Sequence, residues 1–478
     1  FRRMRRPLMT LLVVYSVSIL VLTLIPGQDA DGNVHYMDFF HAIYFVSFMA
    51  TTIVFGEIPF EFTDAQRLWV TVTMYGGVIS WLYAIGTILT LIQDKTFQHA
   101  LSEKKLSRKI QGMREPFYLV CGYGETGSAL VRGLTDFNQH VVVIEIDEDR
   151  RNLIRIDNLR DFVPSLHGDA QKPLHLQEAG LEHDMCQAVV AVTNDNDANL
   201  KIALTSKLLH PNIKVICRAD SHDVEKNMAS FGTDYIIDPY DTFAMSLAIA
   251  FQVPCLYLLQ RWLFSADDQL LLEEPIYPPK NKHWVICGYG RFGKSVYERL
   301  KKESLEVVVI EADPATTGEP VEGIIVGRGT EANTLSLANI EKACGLIAGT
   351  DNDANNLSIV MTARELNPDL FIIARQNHSD NSSIINAVKA DMVMHPSKII
   401  ADKIRVLLGH PMLYQFVSLA YYKDNEWACE LASRITALVG QNAPKLAEIT
   451  INESEARAVV DVLSHGESVE LEDLLRDP

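Results

Sequence analysis

The sequence predicts a helical membrane module followed by two doubly wound α/β domains and a small α+β lobe at the C-terminal end. The first 92 residues contain two long apolar segments, and the rest of the chain contains one glycine-rich strand–turn–helix pattern twice. A length of 478 residues allows about three domains. The net charge of −18 argues against a nucleic-acid partner, because a phosphate backbone requires a basic surface.

The two apolar segments, 8–25 and 65–92, are long enough to cross a lipid bilayer as helices. Basic residues precede the first segment and follow the second, which predicts cytoplasmic N- and C-termini in the plasma (inner) membrane. The first segment alone would also fit a secretory signal peptide. A second, longer span with a basic flank favours a multi-pass membrane protein.

Between the spans, residues 37–49 are apolar but too short to cross, and predict a re-entrant helix. The loop at 51–57 follows and reads Thr-Thr-Ile-Val-Phe-Gly-Glu. It resembles the signature loop of potassium channels, Thr-Thr-Val-Gly-Tyr-Gly-Asp, whose carbonyls replace the hydration shell of K⁺. The resemblance implies that the K⁺ ligands are backbone carbonyls or a hydroxyl of Thr52, Ile53, Val54 and Phe55.

Val54 departs from this family, which has glycine at that position. Valine disfavours left-handed backbone by about 1 to 2 kcal/mol, so four copies would carry roughly 4 to 8 kcal/mol of strain. We expect the loop to relax, with fewer K⁺ sites and lower conductance or selectivity. Gly76 and Gly77, in the middle of the second span, predict either a hinge or close helix packing.

The repeated pattern is Gly-x-Gly-x-x-Gly between an apolar strand and a helix, at 117–127 and again at 283–293. The first glycine permits the turn, the second lets the backbone approach a pyrophosphate, and the third lets helix and strand pack closely. The helix N-terminus then offers free N–H groups to phosphates. The candidate nucleotide-binding residues in these two turns are Gly122, Tyr123, Gly124, Glu125, Thr126, Gly127, Gly288, Gly290, Arg291, Phe292 and Gly293.

In each copy a β-branched strand ends in an acid about twenty residues later, Glu145 or Glu311. Such a carboxylate accepts ribose hydroxyls and repels a 2′-phosphate, which favours NAD or an ADP- or ATP-type nucleotide over NADP. The copies differ further on, where Asp169 could bind an adenosine group and Arg328 could face phosphate. Arg218, at the end of a later strand, is a further candidate ligand residue.

The repeat also extends to a polar turn, in which 193–199 mirrors 350–355 and Asn199 is matched to Asn355. Together, the loop, the spans and the repeat make the chain similar to prokaryotic two-span potassium channels with tandem RCK (regulator of K⁺ conductance) domains. The resemblance implies a homotetramer whose cytoplasmic ring binds nucleotides or divalent cations and pulls on the inner helices. The predicted organisation is a pore module at 1–92, a linker at 93–115, a first RCK domain at 116–264, a linker at 265–281, a second RCK domain at 282–408 and a C-terminal lobe at 409–478.

Three alternatives remain at this stage. A dehydrogenase would use the same glycine turns, but no separate substrate domain follows them, and we expect no enzyme. A membrane-bound nucleotide-sensing subunit of a potassium transporter would share the α/β domains without conducting. A weakly selective cation channel would also fit Val54.

Metal and cysteine chemistry give weaker signals. The acidic clusters 147–149 and 273–274 offer oxygen ligands suited to Ca²⁺, but EF-hand spacing is absent and a solvated acidic face is favoured. The seven cysteines lack Cys-x-x-Cys spacing. They predict buried free thiols of a reducing compartment, without a disulfide framework.

Overall fold

The structure is a computed structural model. It forms two compact units, Phe1–Lys105 and Leu106–Pro478. It describes residues 2–51, 56–220, 222–265, 270–280, 282–318, 323–444, 446, 451, 456–466 and 468–469.

The first unit contains two long helices, one short helix and a hairpin. Both long helices are apolar and mostly exposed, as lipid-facing helices are and the core helices of soluble proteins are not. The two long apolar helices predicted from the sequence are therefore present. The elements are α1 (Arg2–Leu24), β1 (Pro26–Gln28), β2 (Val34–Tyr36), α2 (Phe39–Ala50) and α3 (Asp64–Gln93).

The short helix α2 occupies the centre of this unit. The carboxylate of Asp38 caps its first turn, where it accepts the His41 N–H at 2.7 Å. Phe45 and Phe48 are buried, together with Phe62 beyond the loop. The helix therefore has its own apolar core, which the sequence did not reveal.

Helix α3 continues through its paired glycines without interruption. A Cβ on Gly76 would lie 3.5 Å from Val14 of α1, an ordinary van der Waals distance. Trp81 of α3 also donates a hydrogen bond to the Tyr15 hydroxyl of α1 at 2.9 Å. The glycine pair thus lies in an unbroken helix where a methyl group would fit at position 76, and the hinge and packing interpretations both stay predictions. The antiparallel hairpin of β1 and β2 was not predicted.

The boundary between the units falls within helix α4, and the second unit continues with a six-stranded parallel sheet of order β5-β4-β3-β6-β7-β8. β3 and β6, the first and fourth strands of this sheet along the chain, are neighbours. The order in which strands are added therefore reverses between them, which opens a crevice at their carboxyl ends. The elements are α4 (Lys95–Gln111), β3 (Phe117–Cys121), α5 (Glu125–Asp136), β4 (His140–Glu145), α6 (Glu148–Ile156), β5 (Ser165–His167), α7 (Pro173–Glu178), β6 (Cys186–Ala191), α8 (Asn196–Leu209), β7 (Lys214–Arg218), α9 (His222–Ser230), β8 (Tyr235–Ile237), α10 (Pro239–Gln252) and α11 (Pro254–Leu263).

A second parallel sheet repeats this order as β11-β10-β9-β12-β13-β14. The two Rossmann-like domains confirm the fold class predicted from the glycine turns. The elements are β9 (Trp284–Cys287), α12 (Arg291–Lys302), β10 (Val307–Glu311), α13 (Pro314–Thr317), β11 (Ile324–Val326), α14 (Ala332–Leu337), β12 (Gly345–Ala348), α15 (Asp353–Leu366), β13 (Phe371–Arg375), α16 (Ser382–Ala387), β14 (Met392–Met394), α17 (Pro396–Gly409), α18 (Pro411–Ala420), α19 (Asn425–Val439) and α20 (Arg457–Ser464).

The two domains exchange helices. Phe243 of α10 packs on Phe292 of the second domain, with ring centroids 4.4 Å apart. In return, Ile404 of α17 is buried against Leu130 of the first domain. Residues 239–263 form two helices, α10 and α11, because Pro254 cannot continue the hydrogen-bond ladder of α10.

The tail beyond 409 differs from the predicted mixed lobe. Its described residues form α18, α19 and α20, with one isolated β-bridge between Leu271 and Asn442. Ala428 and Ala432 are buried at the four-residue spacing of a helix face, which explains why this segment forms the helix α19.

One expectation about cysteines is wrong. Cys255 of α11 and Cys429 of α19 form a disulfide, whereas the other five cysteines are free and buried. The partners are 174 residues apart, so sequence spacing carried no signal. Packing of α11 on α19 brings their Cα atoms within 5.1 Å.

Candidate functional site

Each Rossmann-like domain has a crevice at the carboxyl ends of its strands. The first crevice has a volume of about 340 Å³ and the second about 360 Å³. Of the predicted residues, these line the two crevices: Gly122, Gly124, Glu145 and Asp169 in the first, and Gly288, Glu311 and Arg328 in the second. The two regions are called cleft 1 and cleft 2 below.

The three glycines of each turn have different structural requirements. Gly122 has a φ of +100°, which favours glycine. A Cβ on Gly127 would lie 2.0 Å from the carbonyl oxygen of Gly122, so helix and turn meet there without room for a side chain. Gly288 and Gly293 repeat these values in the second domain.

The middle glycine is different, because protein packing does not require it. A Cβ on Gly124 would meet only the Arg150 guanidinium at 3.7 Å, and a Cβ on Gly290 would meet nothing within 4 Å. Both residues have extended backbone that any residue adopts. The space beside each middle glycine is therefore open to a ligand that approaches the backbone.

The acid of each domain holds its glycine turn. One oxygen of Glu145 accepts the Tyr123 N–H at 2.5 Å, and the other accepts the Asp147 N–H at 2.9 Å. Glu311 makes the equivalent bonds to Tyr289 and Asp313 at 2.5 and 2.9 Å. Each carboxylate oxygen keeps a second lone pair for a ribose hydroxyl. The predicted ribose acids therefore also fix the turn that would receive the phosphates.

The polar turn opposite the glycines is built identically in both domains. The Thr193 N–H donates to Asn199 Oδ1 at 3.0 Å, and the Thr350 N–H donates to Asn356 Oδ1 at 2.9 Å. The match of Asn199 to Asn355 made from the sequence is therefore wrong by one residue. The second segment has an extra asparagine, and only the hydrogen bond shows which one is buried.

Other predicted residues lie beside the clefts and have other partners. Tyr123 donates its hydroxyl to Asp157 at 2.6 Å, and burial together with this carboxylate raises the pKa of the phenol. Arg218 donates to Asn194 at 2.9 Å and so supports a residue of the cleft wall. Thr126 and Phe292 are buried.

Sequence reasoning missed Arg150, whose guanidinium is near Gly124 at the wall of cleft 1. It lies in the first turn of α6, directly after the acidic cluster 147–149. The sequence made that cluster a candidate calcium site. In the structure, Asp147 instead caps α6, because its carboxylate accepts the Asp149 N–H at 2.9 Å. Within the described ranges, three or more His, Cys, Asp or Glu side chains nowhere gather as a metal site.

The predicted K⁺ ligands Thr52 to Phe55 lie outside the described residues. On the far side of that loop, Glu57 makes a two-pronged ion pair with Arg67 of α3, at 2.9 and 3.2 Å. Glu57 also accepts the Phe62 N–H at 2.7 Å. The acid that ends the potassium-channel-like loop is thus fixed to the start of α3.

Comparisons with known proteins identify the class. An ion-channel family model matches residues 8–94, and the TrkA-N domain model matches 118–239 and 284–396. Potassium channel protein 1 of Methanocaldococcus jannaschii is 33% identical over 142 residues, which are 29% of this chain and 43% of that protein. The chain spans 35% to 43% of the length of the first curated relatives it matches.

Solved structures agree on the fold. The GsuK channel matches with a TM-score of 0.52 at 20% identity, over 84% of this chain and 96% of that chain. A structure of the GsuK channel bound to NAD also scores 0.52, at 17% identity, over 84% and 82%. The two family models together show that this chain joins an ion-channel domain to tandem TrkA-N domains. This confirms the resemblance to RCK-containing potassium channels drawn from the sequence.

Proposed function

We propose that this chain forms a homotetrameric, ligand-gated potassium channel of the plasma (inner) membrane, with both termini in the cytoplasm. The observation that carries the proposal is the combination in one chain of an ion-channel domain and two preassembled Rossmann clefts. Eight such α/β domains in a tetramer would form a ring that changes shape with ligand and acts on the inner helices. The role is regulatory and not enzymatic.

The ligand of cleft 1 is NAD or another adenine nucleotide. Its pyrophosphate would lie beside Gly124 at the N-terminus of α5, where free N–H groups attract anions. Arg150 adds positive charge at the same wall, and Glu145 accepts the ribose hydroxyls. That the GsuK channel has been solved with NAD supports the ligand class.

Gly124→Ala is a clean test of this ligand site. The added methyl fits the protein but occupies the space needed by the pyrophosphate, so NAD affinity at cleft 1 should fall at least about tenfold while thermal stability is unchanged. Calorimetry on detergent-solubilised protein measures the affinity. Gly409→Ala is the control, because its Cβ meets nothing within 4 Å and the residue lines neither cleft. Unchanged NAD binding in Gly124→Ala protein would contradict the site.

Conduction is tested in liposomes that contain the purified protein. We expect K⁺ flux that changes on addition of NAD. Protein that binds NAD without flux would instead be a sensing subunit of a transporter, and equal K⁺ and Na⁺ flux would indicate a weakly selective cation channel. Val54→Gly should increase K⁺ flux and selectivity, because glycine removes the cost of left-handed backbone.

A further inference from the structure

The residue that follows the middle glycine differs in charge between the two domains, and in both it points to the other domain. Arg291 starts α12 of the second domain and donates to the Asp220 carboxylate of the first at 2.5 Å. Glu125 starts α5 of the first domain and accepts from His378 and Ser379 of the second, at 3.1 and 3.2 Å. The residue after the middle glycine thus contacts the other domain in both cases, through a guanidinium at Arg291 and through a carboxylate at Glu125.

Asp220 is the buried end of its contact, and Arg291 is the exposed end, where its guanidinium also lies over the ring of Tyr240, 5.0 Å from the centroid. The Asp220 side chain is 6% exposed, whereas that of Arg291 is 60% exposed. Asp220 accepts the side-chain amide of Asn196, and its own N–H donates back to Asn196 at 3.1 Å. Asn196 follows Asp195, which lines cleft 1. This contact therefore runs from the wall of one cleft to the glycine turn of the other.

At Glu125 the partner residue is also held by a residue of the polar turn, here in the second domain. Asp353 holds the loop that carries His378, because its carboxylate accepts the N–H groups of Asn377 and His378 at 2.7 and 3.0 Å. Asp353 is at the position of Asn196 in the repeat, since both lie three residues before the buried asparagine of the polar turn. The two contacts are related by the internal repeat, but the residue after the middle glycine is a base in the second domain and an acid in the first.

A nucleotide would act on these two contacts in opposite directions. Its phosphates would approach the first turn of α12 in cleft 2 and the first turn of α5 in cleft 1. In cleft 2 the phosphate competes with Asp220 for the guanidinium of Arg291, because Arg binds carboxylate and phosphate alike. In cleft 1 the phosphate repels Glu125, which favours its contact with His378 over any position nearer the ligand.

We propose that Arg291 is a switchable phosphate ligand: nucleotide in cleft 2 takes it from Asp220 and loosens the interdomain contact, whereas nucleotide in cleft 1 tightens the Glu125 contact with His378. The inference rests on the proposed nucleotide function and adds its regulation. The same ligand class then gives opposite mechanical outputs, and the charge after the middle glycine decides which.

The first test isolates cleft 2. In full-length protein with cleft 1 blocked by Gly124→Ala, ADP affinity is measured by calorimetry before and after Asp220→Asn. Asparagine keeps an oxygen for Asn196 and loses the charge that holds Arg291, so ADP should bind roughly two- to fivefold tighter, the range expected for an ion pair whose guanidinium is in contact with solvent. The matched control is Glu430→Gln, which neutralises an acid paired with Arg434 on α19, and it should leave affinity unchanged.

The second test isolates cleft 1 and expects the opposite sign. With cleft 2 blocked by Gly290→Ala, replacing both His378 and Ser379 with alanine should weaken ADP binding roughly two- to fivefold, because it removes two of the three hydrogen bonds that hold Glu125 away from the phosphates. Unchanged or weaker ADP binding in the Asp220→Asn test would overturn the proposal, and so would a lack of ADP binding to the protein with cleft 1 blocked. In the latter case, binding in the Gly290→Ala protein would leave the proposed function of cleft 1 intact.

Discussion

The two clefts have the same backbone frame and different side chains. Positive φ at the first glycine, the 2.0 Å approach at the third and the acid that holds the turn occur in both domains. The differences are in side chains at the rim: Glu125 against Arg291, Asp169 against Arg328, and Asn196 against Asp353. On the proposed function, we expect the shared frame to set the kind of ligand, and the side chains that differ to set its charge preference and its effect on the neighbouring domain.

The largest expected effect is on the shared frame. Gly127→Ala and Gly293→Ala each place a Cβ about 2.0 Å from a backbone carbonyl that cannot move aside. Each should destabilise its domain by about 3 kcal/mol, the upper part of the usual range for overpacking. Differential scanning fluorimetry measures the loss, with Gly409→Ala as control. A large effect in one domain and none in the other would break the comparison.

The acids should show the next largest effect. Glu145→Ala removes the carboxylate that holds the turn and would bind ribose, with charged hydrogen bonds worth about 1.5 to 3 kcal/mol each. NAD affinity at cleft 1, measured calorimetrically in a Gly290→Ala background, should fall more than tenfold. Glu145→Gln keeps one acceptor and should lose less. NAD affinity that Glu145→Ala leaves unchanged would refute the ribose assignment.

Exchange of the charged residues Asp169 and Arg328 between the clefts should alter the preference for NAD over NADP without abolishing nucleotide binding. Asp169→Arg gives cleft 1 the residue of cleft 2, and should shift the ratio of NAD to NADP affinity toward NADP by about tenfold, equal to about 1.4 kcal/mol. Arg328→Asp is the reciprocal variant and should shift cleft 2 the other way. Parallel titrations with both nucleotides measure the ratio. If neither exchange changes it, the rim does not set charge preference.

The smallest expected effect is a pH dependence confined to the second domain. Burial alone would raise the pKa of Asp353, but hydrogen bonds from Asn381, Asn377 and His378 outweigh it and hold the pKa below its ordinary value. A lowered folded-state pKa means that ionised Asp353 stabilises the domain above about pH 4, and that this contribution is lost as pH falls through the folded-state value.

The unfolding temperature of the parent should therefore drop more steeply below about pH 4 than that of Asp353→Asn, by about 2 °C. Asn196 occupies the same position in the first domain and does not ionise, so Asn196→Ala should leave the acid slope of the parent intact. Parallel acid profiles of the parent and Asp353→Asn would mean that Asp353 carries no such linkage.

Much of the site was predictable because local rules govern it. A glycine turn between strand and helix, followed by an acid, is one continuous segment, and Glu145 and Glu311 were found this way. Arg150 was missed because it lies in an acidic stretch, and its charge matters only where α6 meets Gly124. The residue matched to Asn199 was misplaced because two adjacent asparagines look alike until one is buried.

The sequence by itself determined the order of domains, the two apolar spans and the two parallel sheets, since hydrophobic period, length and glycine spacing are local properties of a chain. Only the tertiary structure decided the exchange of α10 and α17, the Cys255–Cys429 bond and the reversed contacts at Glu125 and Arg291. The disulfide and the two contacts at Glu125 and Arg291 each join residues at least 70 positions apart. Their partners are selected by how whole helices and sheets pack, which no local pattern encodes.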